Sequence, residues 1–172
     1  GRFPWYQGAV CPRRSTPVAC ALMLACGSVR DTTPGKTKDE RRGSPTFVVG
    51  SGKDAYAATA DGATVEIIHG PQGGYHLWGA FRVTGIAAGR VSVTYDVLRG
   101  GSPATPLSST TYEVDPFARA GGREWAGLIG YVPNDLVAST ANGPVVLSMT
   151  LTDAAGTVLH DERHLVAGPV PP

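Results

Sequence analysis

The side chains best suited to chemistry are the four histidines His69, His76, His160 and His164. His69 and His76 bracket the turn in "HGPQGGYHLWGAFRV", residues 69–83. If "GPQGG" closes a hairpin, the two histidines stand at its two ends. Facing residues on paired strands have Cβ atoms about 4.5–5.5 Å apart, close enough for two imidazoles to share zinc or copper. The plainer alternative is a solvent-exposed pair near a hairpin tip. In "HDERH", residues 160–164, a strand puts His160, Glu162 and His164 on one face. Neighbours on that face are about 6.6 Å apart and the two histidines about 13 Å, so a pair chelates one ion but the three together do not. The alternative is a polar outward face, or a charged edge that blocks aggregation. A metal site needs three or four ligands, and the expectation is no cofactor, with copper or zinc as the alternative. Gln72 stands at the turn tip, between Pro71, which presets one dihedral, and Gly73. It marks either a recognition loop or a hairpin that simply needs its glycines.

Enzyme signatures fail on inspection. "GSGKD", residues 50–54, resembles the end of a phosphate-binding loop, but Phe47 occupies the place of the first glycine and Asp54 that of the required hydroxyl. No G-x-S-x-G or H-E-x-x-H occurs, and "DAAGTVLHDE" lacks the ligand spacing of a calcium loop. No catalytic activity is expected; the alternatives are a small copper- or zinc-binding domain using the histidines and, after it, a hydrolase.

The cysteines point elsewhere. Cys11, Cys20 and Cys26 all precede residue 27, so the remainder of the chain contains neither a disulfide nor a thiolate metal site. Arg13 and Arg14 lead into "PVACALMLA", residues 17–25, an apolar run too short to span a bilayer as a helix and of a length suited to an export signal. "MLAC", residues 23–26, resembles the lipobox of bacterial lipoproteins, with Met23 where leucine is usual. That resemblance implies cleavage before Cys26 and a lipid on its thiol. Gly27 is not the aspartate associated with inner-membrane retention, which implies the outer membrane where the host has one. The chain has 15 basic and 14 acidic residues; without residues 1–25, which hold three arginines and no acid, 12 basic face 14 acidic. A near-neutral, slightly acidic domain is a poor nucleic-acid binder.

These features divide the chain into a signal peptide (1–25), a lipidated cysteine with a disordered tether (26–45), and a β-sandwich domain (46–172). "GSVRDTTPGKTKDERRGSP", residues 27–45, is polar, charged and without aromatics, and its basic cluster is interspersed with acids. From Thr46 onward the hydrophobic period is two. Strands are expected at "TFVVGSG", "TVEIIH", "YHLWGAFRVTG", "RVSVTYDVL", "STTYEVD", "GLIGYV", "PVVLSMTLTD" and "TVLHDERHLV", separated by Gly, Pro and Asn turns. "DPFARAGGREW", residues 115–125, has room for a helical turn, although two glycines interrupt it. Seven to eight short strands read as an all-β, antiparallel, immunoglobulin-like sandwich. Trp78 falls at a third-strand position, where such folds bury a tryptophan, but on the more polar face of its strand.

The lipobox, the polar tether and "GPQGGYHLW" leading into a strand together resemble secreted lipoproteins of myxobacterial type. That group implies a location and a fold and carries no assigned activity. The sequence as a whole reads as an envelope lipoprotein that binds an envelope protein or a glycan, with membrane contact through its lipid.

Overall fold

The fold is that of a computed structural model, which describes residues 43–172. The signal, Cys26 and the tether as far as residue 42 lie outside the described residues. Eleven strands follow in order: β1 (Thr46–Ser51), β2 (Ala57–Ala58), β3 (Thr64–Val65), β4 (Ile68–His69), β5 (Tyr75–Thr84), β6 (Val91–Arg99), β7 (Thr105–Val114), β8 (Phe117–Arg119), β9 (Gly122–Val132), β10 (Pro144–Thr152) and β11 (Val158–Ala167). The described residues hold one helix, α1 (Val137–Thr140).

Two sheets pack face to face. The first runs β2-β1-β5-β9-β8, with β4 continuing beside β5; the second runs β3-β11-β10-β6-β7. Every described pairing is antiparallel except β3 with β11. Seven strands have six residues or more, and they divide in chain order as first, second and fifth against seventh, sixth, third and fourth. The result is an all-β sandwich in which the fourth long strand lies in the sheet of the third.

Alternation drives this packing, because a period of two gives the central strands β5, β6 and β10 one apolar face. Val91, Val93, Tyr95 and Val97 of β6 and Val145, Leu147, Met149 and Leu151 of β10 are all buried, facing Leu77, Phe81 and Val83 of β5. Tyr95 fills the centre and is fully buried. It fits because β5 and β9 present glycines to it: a Cβ at Gly79 would lie 2.7 Å from its ring, and one at Gly130 2.8 Å. Burial pushes the Tyr95 hydroxyl pKa far above the ordinary tyrosine value.

Each open side of the sandwich is closed by one polar side chain. On one side, Asp161 of β11 accepts from the Val49 N–H of β1 at 2.8 Å. On the other, the Tyr112 hydroxyl of β7 donates to the Ile129 carbonyl of β9 at 2.7 Å and accepts from the Ile129 N–H at 3.2 Å. Both contacts satisfy edge-strand backbone groups that the ladders leave free.

Three expectations are corrected. "TVEIIH" is not one strand: β3 pairs with β11 and β4 with β5, so the chain passes from one sheet to the other between them. Val65 and Ile67 are both buried at this crossing, and an unbroken apolar run looks the same either way. Residues 115–125 form no helical turn. Residues 117–125 belong to the β8–β9 hairpin, whose turn is Ala120–Gly121, with Gly121 and the following Gly122 both at positive φ. Trp78 is on the second long strand, half-buried on the outer face; the buried aromatic of the third is Tyr95.

Candidate functional site

The "GPQGG" hairpin forms, but one residue tighter than a His69–His76 pairing needs. The Gly70 N–H donates to the Gly74 carbonyl at 2.7 Å, so His69 faces Tyr75 and Ile68 faces His76. A shift of one residue moves a side chain to the other face of the sheet. His69 is therefore stacked on Tyr75, ring centroids 4.8 Å apart, on the inner side. His76 lies on the outer side, edge-on to Trp78 at 4.6 Å. The two imidazoles do not converge. His76 is buried and its Nε2 has no hydrogen-bond partner. Burial lowers its pKa, because a desolvated imidazolium is disfavoured. Gln72 is exposed at the tip, and Asn134 holds the loop by donating to the Gly73 carbonyl at 3.2 Å.

His160, Glu162 and His164 do share the outer face of the second sheet, and all three are exposed. Glu162 sits between the histidines: Oε1 is 2.9 Å from His164 Nε2, and Oε2 is 3.9 Å from His160 Nε2. Thr150 Oγ1 engages His160 Nδ1 at 3.2 Å. The middle of this face is short and polar, with Ser148 beside Glu162, Asp96 beside Ser148, and the Thr94–Thr111 pair joined at 3.1 Å, while Val158, Val146 and Leu98 add aliphatic groups toward its ends. Three side-chain hydrogen bonds, Thr94–Thr111, Thr150–His160 and His164–Glu162, tie this face together. Among the described residues, no three of His, Cys, Asp and Glu converge as metal ligands.

The outer face of the first sheet is different, and sequence reasoning missed it. After Ser51 the chain does not turn away. Residues 52–56 cross back over the sheet. The Gly127 N–H donates to the Gly52 carbonyl at 3.0 Å, and a Cβ at Gly127 would stand 2.8 Å from the Lys53 carbonyl. Gly127 is the bulged residue of β9, at φ +81, a conformation glycine adopts without strain. The surface beneath the crossing is kept low by Gly50, Ala80 and Ala126, which are paired across β1, β5 and β9.

This crossing is a ridge between two depressions. On one side Lys53, Val65, Glu66 and Ile68 surround Trp78, in a volume of about 340 Å³. On the other, Asp54, Tyr56, Phe117, Arg119, Glu124 and Trp125 line a smaller one of about 120 Å³. Phe117 is 59% exposed and lies flat on Trp125, ring centroids 5.1 Å apart and planes 11° apart; Trp125, opposite the buried Phe81 in the register, itself packs against the core at the sandwich edge. The Arg82 guanidinium covers the Tyr56 ring at 4.7 Å, and its Nε donates to Glu124 Oε1 at 2.6 Å. Tyr131, 53% exposed, adds a further aromatic side chain on this face beside His76.

No protein-family model matches the chain, and no curated protein matches it. The chemistry therefore rests on the geometry. Each depression pairs an aromatic floor with charged groups of both signs, a combination that stacks on a flat ligand and hydrogen-bonds its edge. The signal for this was faint. Phe117 sits in a segment read as a helical turn, and nothing local to residues 52–56 reveals that they cross β5.

Proposed function

We propose that the chain is an envelope lipoprotein, anchored through a lipid on Cys26 and probing its surroundings with a non-catalytic binding module. The lipobox-like "MLAC" and the polar segment after it support the anchor and an outer-membrane location. One observation carries the binding role: two aromatic-floored depressions side by side on one exposed sheet face. Large apolar rings left in solvent beside polar groups are a mark of recognition surfaces. The partner is an envelope component, a protein or a glycan, and not nucleic acid, given the near-neutral charge. Gln72, exposed at the hairpin tip, is available to a partner large enough to extend past the depressions.

The test uses the full chain. Fractionation separates membrane from soluble protein for wild type and Cys26→Ser; the variant is expected in the soluble fraction, and unchanged membrane partitioning overturns the anchor. Immobilised wild-type chain is then exposed to detergent-solubilised envelope beside a Trp78→Ala, Phe117→Ala double variant. Specific retention by wild type, lost in the variant, is expected. Equal retention by both overturns the binding face.

A further inference from the structure

We infer that the depression built by Phe117, Trp125 and Tyr56 is a subsite for one neutral sugar ring of an oligosaccharide. The inference rests on the first sheet's outer face being the recognition surface, and it names the ligand class.

Shape is the first argument. A volume of about 120 Å³ is small against the roughly 300–1,000 Å³ of sites that enclose a drug-sized ligand. The depression takes one ring and leaves the rest of the ligand outside. A ring that fits it meets a flat surface, because Phe117 lies nearly parallel on Trp125 and is 59% exposed. The axial C–H bonds of a pyranose present such a flat, weakly positive face, which complements the negative face of an aromatic ring.

Charge is the second. Asp54 and Glu124 of the lining supply two carboxylates and Arg119 a guanidinium, while the Arg82 behind them, over the Tyr56 ring, pairs with Glu124. The frame is neutral in sum and offers donors and acceptors together. A sugar hydroxyl is both donor and acceptor, so a row of hydroxyls uses both. With the charges balanced, an acidic sugar gains no net attraction, and a purely apolar ligand would leave the charged groups desolvated.

Repetition is the third. The neighbouring depression repeats the pattern, with Trp78 between Lys53 and Glu66. Two such sites flanking the 52–56 ridge suit a ligand made of repeating rings.

The full chain, in detergent, is applied to an array of neutral oligosaccharides built from hexoses, pentoses and N-acetylhexosamines, and of uronic-acid and sulfated counterparts. Retention on at least one neutral series is expected. Phe117→Ala should weaken it about tenfold while Phe117→Tyr keeps it. Phe117 is exposed, so either variant leaves the core intact. Silence across the array, preference for the acidic series, or indifference to Phe117→Ala each overturns the inference. If the array is silent but immobilised chain still retains an envelope protein through Phe117 and Trp78, the sugar inference fails and the binding-module reading stands. If nothing is retained in either assay, both fail.

Discussion

The two outer faces of this sandwich are built on the same inner core, yet they differ in what they leave open to solvent. The second sheet shows serine, threonine and acids around His160, Glu162 and His164, several of them hydrogen-bonded to one another, with Val158 its exposed large aliphatic. No Phe, Tyr or Trp faces outward from β6, β7, β10 or β11. The first sheet shows Trp78, Phe117, Tyr131 and Tyr56 around a crossing segment. Exposed short polar groups are well solvated and gain little from a partner. Open aromatic faces retain hydrophobic and stacking free energy that only a ligand releases. The pair of histidines that shares an exposed face with an acid, His160 and His164, therefore marks the less promising face.

The largest expected effect tests the shared core. Phe81→Ala empties a fully buried site facing both sheets and should cost about 3–5 kcal/mol in urea unfolding. Both faces should fail together. A loss confined to one would break the picture of a single core.

Next comes the first face itself. Phe117→Ala should reduce retention of envelope material about tenfold while changing stability by no more than about 0.5 kcal/mol.

Acid separates the two sheets by pH. His76, on the first, has a folded pKa lowered from 6.5 by burial. The unfolded chain takes up a proton that the fold refuses, so stability falls as pH drops below about 6.5 and levels off beneath the folded value. His76→Leu should flatten that window. Asp153, at the β10–β11 turn, has a folded pKa held below 3.8 first by the Ala87 N–H and then by that of Thr157, with a smaller contribution from Ala155. Its stabilisation is complete above 3.8 and is lost as pH falls through the folded value. Asp153→Asn should remove only this lower window. Chemical unfolding between pH 2 and 8 reads both; a single shared window would contradict the assignment.

The smallest effect belongs to the second face. His160→Ala with His164→Ala, both exposed, should shift stability by about 0.5 kcal/mol or less and leave retention unchanged. Zinc or copper should leave the Tm unchanged, since His69 and His76 point to opposite faces; a rise abolished by changing both would restore the metal reading.

The fold was legible where one physical signal dominated. Alternation in "RVSVTYDVL" and "PVVLSMTLTD" marked the buried face of β6 and β10 residue by residue. Local chemistry also identified the 70–74 hairpin, though not its register, which the Gly70–Gly74 bond decides. The edge closures by Asp161 and Tyr112 were invisible, because each joins strands from different sheets. The candidate site was hidden for the same reason. Tyr56, Trp78, Phe117 and Trp125 are scattered over the chain and meet only after β1, β5, β8 and β9 align and residues 52–56 cross them. Histidine spacing was visible in the sequence and drew attention to residues that do not converge.

The most direct test compares the faces side by side. Full-length Trp78→Ala with Phe117→Ala, and full-length His160→Ala with His164→Ala, are assayed for retention of detergent-solubilised envelope by the immobilised chain. The first pair should lose retention by about tenfold or more, and the second should match wild type. Equal loss in both, or loss only in the histidine pair, would contradict the assignment of recognition to the aromatic face.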